Sequence, residues 1–173
     1  MEIRQENQDD YEAVYKVVKE AFATAEQSDG NEQELVRALR NSNSFIPELS
    51  LVAVENGKVV GHILFTKAYV GEFAELALAP LSVLPAYQRK GIGSALMQRG
   101  HSIAKKLRYD YSIVLGHSEY YTKAGYVPAS VYGIKASFDV PDENFMAIKL
   151  NDRAKRIKGV IKYDIAFEYV SRT

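Results

Sequence analysis

Two glycines and two cations stand directly before a predicted helix in the stretch QRKGIGSAL, residues 88–96. Glycine has no Cβ, so Gly91 and Gly93 let the backbone turn sharply and approach a ligand closely. A helix that begins here leaves its first N–H groups unpaired and presents the positive end of its dipole, which suits a phosphate or diphosphate. Arg89 and Lys90 add formal charge. The residues indicate an anion-binding loop, although a tight turn before a helix would use the same glycines.

The spacing of this loop argues against two common phosphate-binding motifs. A P-loop requires G-x-x-x-x-G-K-[ST], which the chain lacks, and a dinucleotide-binding turn requires Gly or Ala where Leu96 stands. The pattern that remains is Q/R-x-x-G-x-G/A after an apolar strand and a turn. It lies within LSVLPAYQRKGIGSAL, residues 81–96.

A second motif lies further along the chain. In EYYTKAGYVPAS, Tyr121 stands four residues before Gly125-Tyr126. In order and spacing, the two motifs resemble the GNAT superfamily of N-acetyltransferases, where the first is the acyl-coenzyme A loop and the second, Y-x-x-x-G-F/Y, follows the fifth strand. The resemblance covers roughly residues 1–150, and stretches such as FIPELSLVAVENGKVVGHILF, LGHSEYY and FDVPDENFM are similar to a bacterial subgroup of unassigned substrate.

This resemblance implies both a fold and a cosubstrate. The fold is α/β (α+β), with a mixed, mostly antiparallel central sheet that is flanked by helices and splayed between strands 4 and 5. The pantetheine arm of acetyl-coenzyme A would enter the splay between the strand ending at Val83 and the strand ending near Gly116. The Leu81 amide would donate to the thioester carbonyl as it gains negative charge, and the loop amides would hold the diphosphate. The implied cofactor-binding residues are Leu81, Ser82, Val83, Gln88, Arg89, Lys90, Gly91, Ile92, Gly93 and Ser94.

Tyr121 is the side chain to which the resemblance assigns catalysis. Acyl transfer to an amine needs a proton for the departing thiolate, and a phenol with a pKa near 10 is protonated at neutral pH. The alternative is a packing residue that only contacts pantetheine. We interpret the neighbouring Tyr120 as a core residue or as part of the substrate wall.

The sequence does not identify the general base. Ala77 stands where some family members carry a glutamate, while Glu75 lies two residues earlier on the same strand face and reads as a solvated strand-end carboxylate. His117 follows the fifth strand and reads as a hydrogen-bonded structural histidine. Glu75, His117 or water alone are the alternatives. His62 and His101 have no nearby metal-ligand spacing and are interpreted as structural or surface groups.

The composition limits the class of protein. The 173 residues suit one domain, 1–150, with 151–173 as a C-terminal extension of the same domain. Lys+Arg and Asp+Glu both number 22, which gives no net field toward nucleic acid or an anionic membrane. The absence of cysteine excludes a thiolate nucleophile and agrees with direct acyl transfer. Without a leader-like or membrane-length apolar run, we expect a cytoplasmic protein. The sequence leaves a monomer and a homodimer as alternatives.

Hydrophobic periodicity places these motifs on predicted elements. Asn56-Gly57 predicts a hairpin between two β-rich runs, and Pro80 predicts a bulge or an interruption in the pairing of the strand that follows. A helix over residues 92–108 and a strand at YSIVLGH complete a strand–loop–helix–strand unit. We also predict a capping box between Asn31 and Glu34 at the start of a helix. The remaining predicted elements are a short helix at SEYYTKAG, a strand near ASVYGI, a strand at NFMAIKL, and the aromatic run YDIAFEY, which would cover an edge strand or join a dimer interface.

The leading hypothesis is an N-acetyltransferase that moves an acetyl group directly to a primary amine, on a small molecule or a peptide, in a ternary complex. Four acidic residues in 24–40 would favour a cationic acceptor. Their place near a helix N-terminus already suggests a capping role instead. These residues are Glu26, Asp29, Glu32 and Glu34. The alternative is a noncatalytic module that binds or senses acyl-coenzyme A.

Overall fold

The computed structural model describes residues 1–25 and 28–171. Within these ranges the helices are α1 (Tyr11–Phe22), α2 (Glu32–Arg40), α3 (Ile92–Lys106), α4 (Ser118–Lys123) and α5 (Ala166–Ser171). The strands are β1 (Glu2–Gln5), β2 (Phe45–Glu55), β3 (Lys58–Val70), β4 (Phe73–Val83), β5 (Tyr111–Leu115), β6 (Val127–Pro128), β7 (Ile134–Lys135), β8 (Phe145–Lys149) and β9 (Gly159–Lys162).

The central sheet is mixed and mostly antiparallel. Its main path runs β1-β2-β3-β4-β5-β8-β6, and only β4 and β5 in that path are parallel, since α3 crosses over between them. The β2–β3 hairpin turns at Asn56 and Gly57, which both have positive φ, 50° and 78°. That pair of angles fits a two-residue turn that matches the strand twist. The predicted hairpin and the predicted sheet type are confirmed.

β4 and β5 separate after a short stretch of pairing. They are in register only at Leu76–Ser112 and Ala77–Ile113, whereas β4 continues to Val83. On the other side of β4 the register with β3 shifts, so that Ala79 and Pro80 together face a single β3 residue. This bulge, predicted from Pro80, bends the strand as it leaves β5.

The two faces of the sheet carry separate apolar clusters, because neighbouring strand residues point to opposite sides. Leu76 packs with α3 and α4 residues, while the next residue, Ala77, packs against the segment 129–161. Leu64 on β3 packs with α1, α2 and α5 residues. The sheet therefore has α3 and α4 on one face, and α1, α2, α5 and the segment 129–161 on the other.

The C-terminal residues pack onto this scaffold. β9 pairs with the end of β3 at Tyr69 and Val70 and also with β7, and α5 packs against α2. The Ser44 hydroxyl donates to the Asp164 carboxylate at 2.7 Å. From the predicted aromatic run, Tyr163 packs with the cluster over Ala77.

Two local predictions are wrong. The strand predicted near ASVYGI is a 3₁₀ turn over Ala129–Tyr132 followed by the two-residue β7. Asn31 is the N-cap of α2, but its side chain makes no capping hydrogen bond to that helix. Glu34 instead accepts a hydrogen bond from the Tyr15 hydroxyl at 2.6 Å, because α1 packs alongside α2. No helix in the part of the chain that the structure describes is long and apolar enough to cross a membrane.

Candidate active site

The glycine loop takes two left-handed residues before α3 begins. Arg89 has φ 63° and Gly91, the N-cap of α3, has φ 84°. A Cβ on Gly91 would meet nothing within 4 Å, so the backbone conformation rather than space requires glycine there. The Gln88 side-chain amide donates to the Val83 carbonyl at 3.0 Å and fastens the loop to the end of β4.

The first turn of α3 presents backbone amides beside this loop. The first helical hydrogen bond is donated by Ala95 to the Gly91 carbonyl at 3.0 Å. The amides of Ile92, Gly93 and Ser94 precede that bond and have no acceptor within the helix. Together with the helix dipole, these amides present partial positive charge beside the loop for which the sequence predicts anion binding.

The end of β4 directs backbone groups into the splay. Leu84 donates to the Val60 carbonyl at 2.9 Å, and Val83 lies opposite Gly61 in the antiparallel register. Because antiparallel partners alternate between hydrogen-bonded and non-bonded pairs, Leu81 and Val83 direct their N–H and C=O groups away from β3. Ser82, between them, directs its backbone to β3, and its side chain is buried.

Tyr121 lies on α4, across the splay from β4. Its ring packs edge-on against Tyr126 and Tyr120, with ring centroids 5.5 Å and 5.0 Å away. A Cβ on Gly116 would come within 2.4 Å of the Tyr121 ring, so glycine there leaves room for it. Burial raises the pKa of the Tyr121 hydroxyl above its usual value. This hydroxyl makes no hydrogen bond to any residue that the structure describes, and its proton is available to a ligand.

A hydrogen-bonded triad behind Tyr121 was not predicted. The Tyr126 hydroxyl lies 2.8 Å from His101 Nε2 and 2.9 Å from Ser112 Oγ. These contacts join the end of the second motif to α3 and to β5. His101 is therefore a structural residue, within the predicted alternatives. Only the spacing of the motif pointed to Tyr126, and nothing in the sequence pairs it with His101.

Glu75 is not the solvated carboxylate that the sequence suggested. Its side chain is fully buried, because β4 and β5 pair here. The carboxylate accepts from the amides of Asp110 and Tyr111 at 3.0 Å and 3.2 Å. Lys155 Nζ lies 2.7 Å from it. Oε1 thus accepts from both amides and Oε2 forms an ion pair with Lys155, at the end of β4 away from the splay.

His117 also differs from its prediction. It is the N-cap residue of α4 and is exposed, and its ring forms no hydrogen bond with the residues the structure describes. His62 is fully buried beside Ser50, with 3.0 Å between Nε2 and Oγ, and is structural as expected. It belongs to an unpredicted network in which Arg40 pairs with Glu6 at 2.7 Å.

The acidic residues of 24–40 have local partners. Asp29 accepts from the Asn31 amide at 2.9 Å, and Glu32 accepts from the Ser28 hydroxyl at 2.6 Å. Glu26 lies outside the described residues. Across residues 1–25 and 28–171, no group of three or more His, Cys, Asp and Glu side chains is arranged to hold a metal ion.

Comparison with known proteins agrees with this geometry. The model of the acetyltransferase (GNAT) family matches residues 3–126. The uncharacterized N-acetyltransferase YjhQ of Escherichia coli is 40% identical over 118 residues, which span 65% of this chain and 65% of YjhQ, just under two thirds of its length. The uncharacterized N-acetyltransferase YhbS of Escherichia coli is 27% identical over 136 residues, covering 76% of this chain and 80% of YhbS.

Solved structures extend the comparison to nearly the whole fold. A GNAT family acetyltransferase from Brucella melitensis, in complex with acetyl-CoA, has a TM-score of 0.80 at 30% identity and covers 96% of this chain and 97% of its own. Escherichia coli YhbS in complex with CoA has a TM-score of 0.87 at 24% identity, covering 96% of this chain and 91% of its own, and shows the likeness of fold. The resemblance inferred from the two sequence motifs is confirmed.

Proposed function

We propose, from the premise that this chain belongs to the GNAT family of acetyltransferases, that it transfers an acetyl group from acetyl-CoA directly to a primary amine. The proposal rests on one observation: the uncovered edge of β4 and the start of α3 form one continuous surface. The uncovered backbone edge of β4 at Leu81 and Val83 leads to the loop and first turn of α3, whose amides suit a diphosphate. A long ligand that carries amides along one arm and a diphosphate after that arm would match the β4 backbone groups and the α3 amides in order.

The backbone of this chain would hold the cosubstrate. Val83 would pair with the pantetheine amides as a neighbouring strand would, and residues 89–94 would hold the diphosphate. The Leu81 N–H would stabilise the negative charge that develops on the thioester oxygen during attack. The Val83 carbonyl already accepts from Gln88, so that side chain sets the position of the loop relative to the cleft.

Tyr121 would supply the proton for the thiolate sulfur. Burial raises the pKa of its hydroxyl, which keeps the phenol protonated across the neutral range. Gly116 and Tyr126 fix the ring from two sides. A fixed, protonated donor without a competing protein acceptor suits general acid catalysis.

We assign deprotonation of the ammonium to water. The attacking amine must be neutral, and Glu75 is held by two amides and Lys155. If water removes this proton, kcat/KM rises with pH up to the pKa of the acceptor amine itself. A side-chain base would add a second ionisation to the profile.

Calorimetric titration with acetyl-CoA tests the binding step, and a panel of small-molecule and peptide amines, with release of the CoA thiol as the readout, tests the transfer. We expect saturable binding and amine-dependent thiol release. Absence of any binding would overturn the proposal.

The engaged state of Glu75 favours one second candidate, a noncatalytic module that binds or senses acyl-CoA. Saturable binding with no thiol release across the whole panel would support it.

Three further properties stay predictions: the cytoplasmic location, the single domain with residues 151–173 as its extension, and the homodimer.

A further inference from the structure

The second glycine of the loop has a different surrounding from the first. A Cβ on Gly93 would come within 2.3 Å of the Tyr120 hydroxyl, whereas the same construction at Gly91 meets nothing within 4 Å. Gly93 is inside α3 and needs no left-handed conformation. A Cβ at this position would therefore displace the Tyr120 hydroxyl, whereas the backbone conformation itself does not favour glycine.

Tyr120 reaches across the splay. It starts on α4, which follows β5, and its hydroxyl ends at α3, which follows β4. A Leu81 methyl group lies 3.7 Å from the same Gly93 Cβ position, so the hydroxyl stands where the β4 edge meets the first turn of α3. The side chain is 40% exposed and also lines an open surface cavity of about 600 Å³. It is thus accessible to a ligand in the cleft.

The hydroxyl of Tyr120 has a proton to donate. It makes no hydrogen bond to the residues that the structure describes, and the nearest backbone groups, the first amides of α3, are themselves donors. Burial raises the pKa of this phenol, which keeps it protonated. An acceptor placed over the first turn of α3 would be bound by these amides and by the hydroxyl together.

We propose that Tyr120 is a cofactor-contacting residue, whose hydroxyl donates a hydrogen bond to the diphosphate end of acyl-CoA where the ligand passes from β4 to α3, and that Gly93 leaves the space this hydroxyl needs. The inference rests on the proposed function. It assigns the two neighbouring tyrosines to two ends of one ligand, with Tyr121 at the sulfur and Tyr120 near the phosphates.

A double-mutant cycle for CoA binding tests this proposal. Tyr120→Phe removes the hydroxyl and should weaken CoA about tenfold, as expected for a hydrogen bond to a charged group. Gly93→Ala displaces the same hydroxyl and should weaken CoA by a similar factor. In the double variant the added methyl has only ordinary contacts, with the ring carbon of residue 120 at 3.6 Å and a Leu81 methyl group at 3.7 Å, so the two losses should not add.

Gly91→Ala provides the matched control. Its cost comes from the backbone angle, so its effect on CoA affinity should be the same with Tyr or Phe at position 120. Kinetically, Tyr120→Phe should raise KM for acetyl-CoA and leave kcat within about twofold, which a general packing defect would not do.

Three results separate the possible failures. No CoA binding by the wild-type protein would defeat the proposed function itself. Binding that is unchanged or tighter in Tyr120→Phe would overturn the role of the hydroxyl. Fully additive losses in the cycle would show that Gly93 serves the ligand independently of Tyr120, and would also overturn the inference.

Discussion

The fully buried His62 and the partly buried His101 should make this fold lose stability in mild acid. Burial lowers the pKa of both His62 and His101 from 6.5 to about 4. Well above pH 6.5 neither the folded nor the unfolded state binds a proton at these sites, so they have no effect there. Between pH 6.5 and pH 4 the unfolded chain binds protons that the folded protein excludes, and the free energy of unfolding falls as the pH falls.

The magnitude follows from the size of the pKa change. A difference from 6.5 to about 4 corresponds to about 3 kcal/mol per histidine when fully developed. For each histidine, the free energy of unfolding falls by at most about 1.4 kcal/mol per pH unit. His101→Gln should remove one such contribution while an amide group stays near the Tyr126 hydroxyl. Urea unfolding of both proteins at several pH values from 7.5 to 4.5 measures the difference.

The comparison isolates His101, because all other titrating groups are common to the two proteins. The variant should lose less stability than the wild type on acidification, and the gap between the two curves should widen steadily below about pH 6.5. Parallel curves would refute the reasoning. So would a His101 ring that titrates near 6.5 when its NMR signals are followed in the folded protein.

Three further predictions concern the site and its support. Tyr121→Phe should lower kcat by about 10²–10⁴-fold with little change in acetyl-CoA affinity. Replacing the exposed Tyr69 by Phe serves as the control. Full activity in the Tyr121 variant would show that Tyr121 is not the general acid. Gly91→Val should weaken CoA binding about tenfold in a folded protein, since a β-branched residue resists φ 84°, and unchanged affinity in calorimetry would contradict this. Glu75→Gln should cost about 1–3 kcal/mol in urea unfolding, because Lys155 loses one of its two carboxylate partners and keeps Asp110 at 2.7 Å. A stability equal to wild type would show that the Glu75–Lys155 pair contributes nothing.

Much of the site was predictable because its signals are local. Asn56-Gly57 specifies its hairpin through positive φ, and Pro80 marks the bulge where β4 leaves β5. The loop before α3 follows from glycine conformation and the free amides at a helix start. Each of these features depends on residues that lie close together in the chain.

The unpredicted features all depend on partners distant in sequence. Glu75 looks exposed beside its neighbours, and its buried charge is compensated by the Asp110 and Tyr111 amides and by Lys155, all of which lie far from it in the sequence. Tyr120 and Gly93 meet across the splay, which no spacing rule relates. The apolar composition of Ala129–Tyr132 likewise suggested a strand, but this segment is a 3₁₀ turn in which only Ala129 is buried and Val131 is 66% exposed.

Backbone amide NMR shifts during a titration with acetyl-CoA test the central claim most directly. If the ligand binds along the uncovered edge of β4 and the start of α3, the largest shifts occur at Leu81, Val83 and residues 91–94, with smaller ones in α4. Amides in the β1–β2 pair, on the far side of the sheet, stay unchanged. Saturable shifts confined to other parts of the molecule, with Leu81 and Val83 unaffected, would contradict the account.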